Sequence, residues 1–306
     1  MWIVETFGDL SQWINWFNTT QATPHGKLGQ FRWAGASPNH TFASGLDDFP
    51  RGVTPTDYDV HVDLMCWMLK VTSIMMLLYS LRKILKFAFP VFFQGVDTLF
   101  RLADLQDLMM RQVLTHLDKL TAQIMENLEE LWDPDVAWFC DYGAQRFNSN
   151  GTVQIGKTCH KGYVGLFPLA LGILDPQDPR LELLLRTIRD EDELWTPYGL
   201  RSLSKRDPLY RKGEDYWRGK VWINVNYLVW RGLRFYSTNP RTPDGLKKQM
   251  AEAAEDLRVN LVTNVVKQYQ ESGFLWENYE PDHGHGTGTH PFTGWTGALL
   301  PLLVRS

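Results

Sequence analysis

Apolar residues recur at three- and four-residue spacing along most of the chain, and that period predicts a mainly helical protein. Val60–Leu81 carries the spacing after a start at Asp57 and Asp59. Leu102–Trp132 is longer and amphipathic, with Leu105, Leu108, Met109, Val113, Leu117, Leu120, Ile124 and Leu128 on one stripe and Pro134 as its stop. Shorter helices are predicted over Gly165–Leu174, closed by Asp175-Pro176, and over Pro179–Asp192. Lys220–Tyr236 reads as an apolar helix entered from a glycine turn. Pro243–Glu271 begins with proline in its first turn, and a last helix starts near Thr293. Strand-like pieces are confined to Ala137–Tyr142 and Val153–Ile155, which could pair across Asn148–Gly151. Ile84–Phe100 keeps no clean period, with Phe87, Phe89, Phe92 and Phe93 around Pro90 and Gly95. It reads either as a buried irregular connection or as an anomaly of the gene model.

The predicted helices alternate with loops that mix aromatics and charges, at Trp132–Tyr142, Trp195–Gly219 and Phe274–Glu280. Helix, loop and helix at intervals of tens of residues is the rhythm of a toroid of helical hairpins with its loops gathered at one end.

Composition changes this picture in a few places. The 306 residues could form one large domain or two smaller ones, and 44% hydrophobic with 22% charged residues are globular values. A net charge of -4 and the lack of a basic stripe with interleaved aromatics argue against a nucleic-acid partner. The uncharged runs Val71–Leu81 and Phe87–Val96 fall short of the roughly 20 residues of a membrane span, so a buried helix is expected there. Met1–Glu5 lacks the basic segment and apolar run of a signal peptide. Cys66, Cys140 and Cys159 show no metal-ligand spacing, cannot all pair, and leave the redox compartment open. Sequons at Asn18, Asn39 and Asn150 would allow N-glycosylation. The unusual figure is 13 Trp, many of them beside Gly, Asp, Asn or Glu as rings that stack on sugars are; core packing is the plainer account of any single one.

Two segments carry the candidate chemistry. In Ser44-Gly45-Leu46-Asp47-Asp48-Phe49-Pro50-Arg51, Gly45 and Pro50 imply a tight turn. Adjacent carboxylates repel, so one of Asp47 and Asp48 should have a raised pKa if both are partly buried, as a general acid requires. A helix cap or a surface turn is the plainer alternative. In Trp276-Glu277-Asn278-Tyr279, a carboxylate beside aromatic walls could orient water as a general base, or could simply be a solvated loop acid. In Glu214–Asn224, Arg218 and Asn224 could bond sugar hydroxyls while Trp217 and Trp222 supply stacking faces; helix-entry packing explains them as well. His283, His285 and His290 match no strong zinc pattern and read as a flexible substrate loop. There is no phosphate loop, Cys/His nucleophilic pair or Gly-x-Ser-x-Gly elbow.

Taken in order, Ala43–Arg51, Val62–Met68, Gly162–Leu169, Gly199–Ser204, Tyr216–Gly219, Leu275–Tyr279 and Pro291–Thr296 resemble the catalytic domain of glycoside hydrolase family 63, most closely its eukaryotic processing α-glucosidase branch. The resemblance implies an all-α (α/α)6 toroid with short β-hairpins in its loops, and inversion at the anomeric carbon. By the family pattern Asp47 is the general acid and Glu277 the general base. Asp48, Phe49, Arg51, Trp217, Arg218, Trp222, Asn224, Trp276 and Tyr279 are the expected substrate-binding set. The implied substrate is an oligosaccharide, the glucosylated N-glycan precursor with its terminal α-1,2-linked glucose, met in the lumen of the endoplasmic reticulum. No metal or organic cofactor is implied. The whole chain, 1–306, is expected to be a single partial toroid, incomplete at its N-terminal side, without the family's N-terminal β-rich domain and without a membrane anchor. Lys220 departs from the pattern, which usually has proline after Trp-Arg-Gly. A related toroid hydrolase of small α-glucosides, of trehalase type, and an inactive truncated glycan-binding fragment are the alternatives.

Overall fold

The computed structural model describes the backbone of residues 2–88 and 97–304, with side chains over 8–81 and 112–304. Helices dominate it: α1 (Trp2–Thr20), α2 (Val62–Ala88), α3 (Asp97–Glu130), α4 (Tyr163–Ala170), α5 (Arg180–Arg189), α6 (Ile223–Thr238), α7 (Asp244–Ser272) and α8 (Trp295–Val304). Four two-stranded antiparallel sheets sit in the connections: β1 (Trp132–Asp133) with β2 (Trp138–Phe139), β3 (Asp141–Phe147) with β4 (Val153–Thr158), β5 (Trp195–Thr196) with β6 (Gly199–Leu200), and β7 (Asn278–Tyr279) with β8 (Gly286–Thr287).

The α3 stripe behaves as its period demands where its side chains are described; Leu105, Leu108 and Met109 lie outside them. Leu117, Leu120, Ile124 and Leu128 are all buried against α2, which packs in turn on α1 and α4. Helix α1 had no counterpart in the sequence reading. Its inward residues Leu10, Ile14 and Phe17 do follow a helical period, but Trp13 and Trp16 sit outward on the same helix and blur it. Two starts fall later than predicted for one reason, capture by a strand-like partner. Val60 pairs with Tyr142, so α2 begins at Val62, whose N–H goes to Asp141 Oδ1 at 2.8 Å. Val221 pairs with both Arg201 and Tyr279, so α6 begins at Ile223 rather than Lys220. The hairpin is also shifted: β3 starts at Asp141 and runs through Phe147, with a register irregularity between Ala144 and Arg146.

Of the aperiodic Ile84–Phe100 stretch, α2 continues through Ala88 and α3 begins at Asp97; residues 89–96 lie outside the described residues. Helix α2 corrects the expectation of a buried helix there. Val62–Leu81 is 20 residues long and apolar enough to cross a membrane, and only 39% of its apolar window is buried. Its first turns lie in the core with Met65, Cys66 and Leu69, whereas Ile74, Leu77 and Leu81 are exposed.

A polar knot inside the core fixes the elements beneath the candidate site. Asn226 of α6 is fully buried; its Oδ1 accepts Leu200 N–H at 2.7 Å and its Nδ2 donates to the Leu200 and Trp222 carbonyls and to Tyr163 Oη. Tyr163 Oη, at the head of α4, donates to Leu200 O at 2.7 Å. Every buried polar group in the knot has a partner, so it ties α4, β6 and α6 together at no desolvation deficit. The cysteines resolve as well. Cys140 and Cys159 form a disulfide across 19 residues, joining the start of β3 to the approach to α4, and Cys66 stays buried and free, its thiol pKa pushed well up by burial.

Candidate active site

The segment that bears Asp47 is a tight turn. A single 3-10 turn, Phe42–Ser44, ends at Gly45, which takes the left-handed φ of 71° that glycine adopts without steric cost. Ser44 Oγ accepts Leu46 N–H, and Thr41 N–H donates to Asp47 O at 2.7 Å, closing the segment on itself. Asp47 is half-buried. Its pKa is raised, first by burial, then by the Asp48 charge, with His40 opposing and Glu277 adding to the rise. A proton is therefore held more tightly there than on an ordinary aspartate.

The segment that bears Glu277 leads into β7. Glu277 is buried, and both carboxylate oxygens are held: Oε1 accepts Tyr216 Oη–H at 2.7 Å and Oε2 accepts Thr289 N–H at 3.1 Å. Trp295 Nε1 donates to the Glu277 carbonyl at 2.8 Å, so α8 steadies the same residue from behind. Gly288 makes room for it. Its φ is 74°, and a Cβ built there would stand 2.4 Å from Glu277 Oε2.

One dipeptide joins the two segments. Asp48 is buried, and its carboxylate accepts Tyr216 N–H at 3.2 Å and Trp217 N–H at 2.5 Å, while Arg218 Nε donates to Asp48 O at 2.7 Å. The same Tyr216 that Asp48 grips by its backbone holds Glu277 by its hydroxyl. Burial, then the bond and charge of Glu277, raise the Tyr216 pKa, which keeps the phenol a donor. Trp217 and Trp222 stack face to face beneath it at 3.7 Å.

The eleven expected site residues thus divide. Asp47 and Glu277 come together, close enough for the Glu277 charge to help raise the Asp47 pKa; half-buried Trp276 precedes Glu277, and half-buried Asn224 lies in the first turn of α6. The structure engages the side chains of the others within the protein's own framework. Arg51 is buried in a pair of salt bridges, with Asp63 at 2.6 Å and Asp141 at 2.7 Å, and has no charge to spare for a sugar. Asp48 spends its carboxylate on backbone N–H groups. Phe49, Trp217, Trp222 and Tyr279 are at most 4% exposed. Arg218 is engaged by Asp48 O and Lys212 O. Tyr216, Thr289 and Gly288 were missing from the expected set. Tyr216 stood in a quoted motif, but nothing in the sequence says that its hydroxyl reaches a residue 61 positions on. Among the histidines, His290 lies against Trp276 at 3.9 Å, and among the described residues no cluster of three His, Cys, Asp or Glu suits a metal ion.

Residues 2–305 match the family model described as glycosyl hydrolase family 63 C-terminal domain. A probable mannosyl-oligosaccharide glucosidase of Schizosaccharomyces pombe is 36% identical over 95% of this chain and 32% of its own length. The mannosyl-oligosaccharide glucosidase of Saccharomyces cerevisiae is 30% identical over 90% of this chain and 30% of its own length. The chain therefore spans about a third of the length of these curated relatives. Among solved structures, a family 63 mannosylglycerate hydrolase from Thermus thermophilus in complex with glucose superposes with a TM-score of 0.51 at 19% identity, covering 82% of this chain and 49% of that one. At that identity the likeness is one of fold.

Proposed function

The chain belongs to glycosyl hydrolase family 63, and on that premise we propose that it forms the catalytic part of an inverting α-glucosidase built on an (α/α)6 toroid. Its substrate is the glucosylated N-glycan precursor, from which it removes the terminal α-1,2-linked glucose in the lumen of the endoplasmic reticulum. Asp47 gives its proton to the glycosidic oxygen as the bond to the anomeric carbon breaks. Glu277 takes a proton from the water that attacks the opposite face of that carbon, so the product anomer is inverted. Such a pair stands roughly 6.5–9.5 Å apart to admit the water. Trp276 and Asn224 are the residues proposed to touch the sugar. The Cys140–Cys159 disulfide is in keeping with an oxidising compartment.

The observation that carries the reading is the Tyr216–Trp217 bridge, which couples an acid with a raised pKa to a carboxylate held by two donors. The test is glucose release from triglucosylated N-glycan, with trehalose and small α-glucosides run alongside. Asp47→Asn and Glu277→Gln should each lower turnover at least about a hundredfold, and proton NMR should show β-glucose as the first product. Unchanged turnover in either variant, or a first product of α configuration, would sink the assignment.

A further inference from the structure

We infer that Glu280, clamped between Lys220 and Arg211, is a positioning residue that holds the loop bearing Tyr216 against the base. The inference rests on Glu277 acting as that base. Glu280 lies three residues beyond it, with a side chain only 11% exposed. Its Oε1 accepts Lys220 Nζ at 2.7 Å and its Oε2 accepts Arg211 Nη1 at 2.5 Å. Arg211 turns its Nε to Asp215 Oδ2 at 3.0 Å, and Asp215 precedes Tyr216. Since Tyr216 returns to Glu277, the contacts close a circuit from the base, through Tyr216, Asp215, Arg211 and Glu280, back to the base along the strand.

The loop needs such a clamp. Arg211 and Asp215 both have left-handed backbones, with φ of 58° and 53°, a region that residues with a Cβ occupy at a cost of about 1–3 kcal/mol each. The bond from Arg211 N–H to Arg218 O at 2.8 Å closes the loop, and the alternating charges pin the two unfavourable residues to each other and to β7. Burial opposes ionisation of Glu280, yet Lys220 and Arg211 outweigh it and lower its pKa, so the carboxylate stays charged. Glu280, Lys220, Arg211 and Asp215 themselves touch neither Asp47 nor the carboxylate of Glu277, and they act through the position of Tyr216.

The test compares the wild-type chain with Glu280→Gln, Lys220→Met and the double variant. In Glu280→Gln we expect kcat to fall about tenfold with KM within about twofold. The carbon-13 signal of Tyr216 Cζ should also shift, because the hydroxyl loosens from Glu277 Oε1. Lys220→Met should move both quantities the same way by less, and it carries the test should Glu280→Gln fail to fold. The double variant should be no worse than Glu280→Gln, since both act in one network. That Tyr216 signal reads the loosened bond without turnover. A folded Glu280→Gln with wild-type kcat and an unmoved Tyr216 signal would overturn the inference. A wild-type chain inert to every glucoside, in which Glu280→Gln still moves the Tyr216 signal, would overturn the hydrolase reading and leave the clamp standing.

Discussion

The acid turn and the base strand solve opposite problems. Around Asp47 the frame is rigid: Arg51 is locked to Asp63 and Asp141, and Asp48 to the Tyr216–Trp217 backbone, while the Asp47 carboxylate takes a bond from its own backbone N–H. Around Glu277 the group itself is held, one donor to each oxygen. On the proposed mechanism, the residue that gives up a proton stands beside another negative charge with only its own N–H as donor, and the residue that aims a water is given donors from two other residues. Two carboxylates of nearly identical chemistry are thus separated by which part of their surroundings is fixed.

That contrast can be broken most severely on the acid side. Arg51→Met leaves Asp63 and Asp141 buried without their cation, and should cost about 3–5 kcal/mol of stability, read by urea unfolding. Loss below about 1 kcal/mol would mean that the turn is not anchored there. The base side should respond in turnover instead of stability. Tyr216→Phe removes one hydrogen bond to a charged acceptor, worth about 1.5–3 kcal/mol, so kcat should fall about tenfold to a hundredfold while the melting temperature shifts little.

The smallest effect separates the two carboxylates most directly. Because the folded chain raises the Asp47 pKa, ionising Asp47 costs stability as pH climbs from the unfolded aspartate value, about 3.9, through the raised folded one. Asp47→Asn removes that cost. The variant should match wild type below this window and melt slightly higher above it, while losing activity. A variant less stable at pH 7 would contradict the raised pKa.

Much of this was legible in the chain, and the rest was hidden for physical reasons. The α3 stripe and the α7 range could be read because a helical period is local. Helix α1 could not, because Trp13 and Trp16 put large apolar rings on its outer face. The starts of α2 and α6 were misplaced because Tyr142 and Tyr279, distant in sequence, take up Val60 and Val221 as strand partners. At the site, Asp47 and Glu277 stood out from their Gly, Pro and aromatic company. The conversion of Arg51, Asp48, Trp217 and Trp222 into framework depends on contacts across 12 to 169 positions or on final burial, which no local pattern encodes.

Gly288 sets a limit of another kind. No codon change that alters this residue can avoid adding a Cβ, and here that carbon would meet Glu277 Oε2, the oxygen steadied by Thr289, on a backbone already left-handed. Position 288 therefore has no neutral neighbour in sequence space. Drift that passes freely through exposed Gly245, where a Cβ would meet nothing within 4 Å, is barred one atom from Glu277.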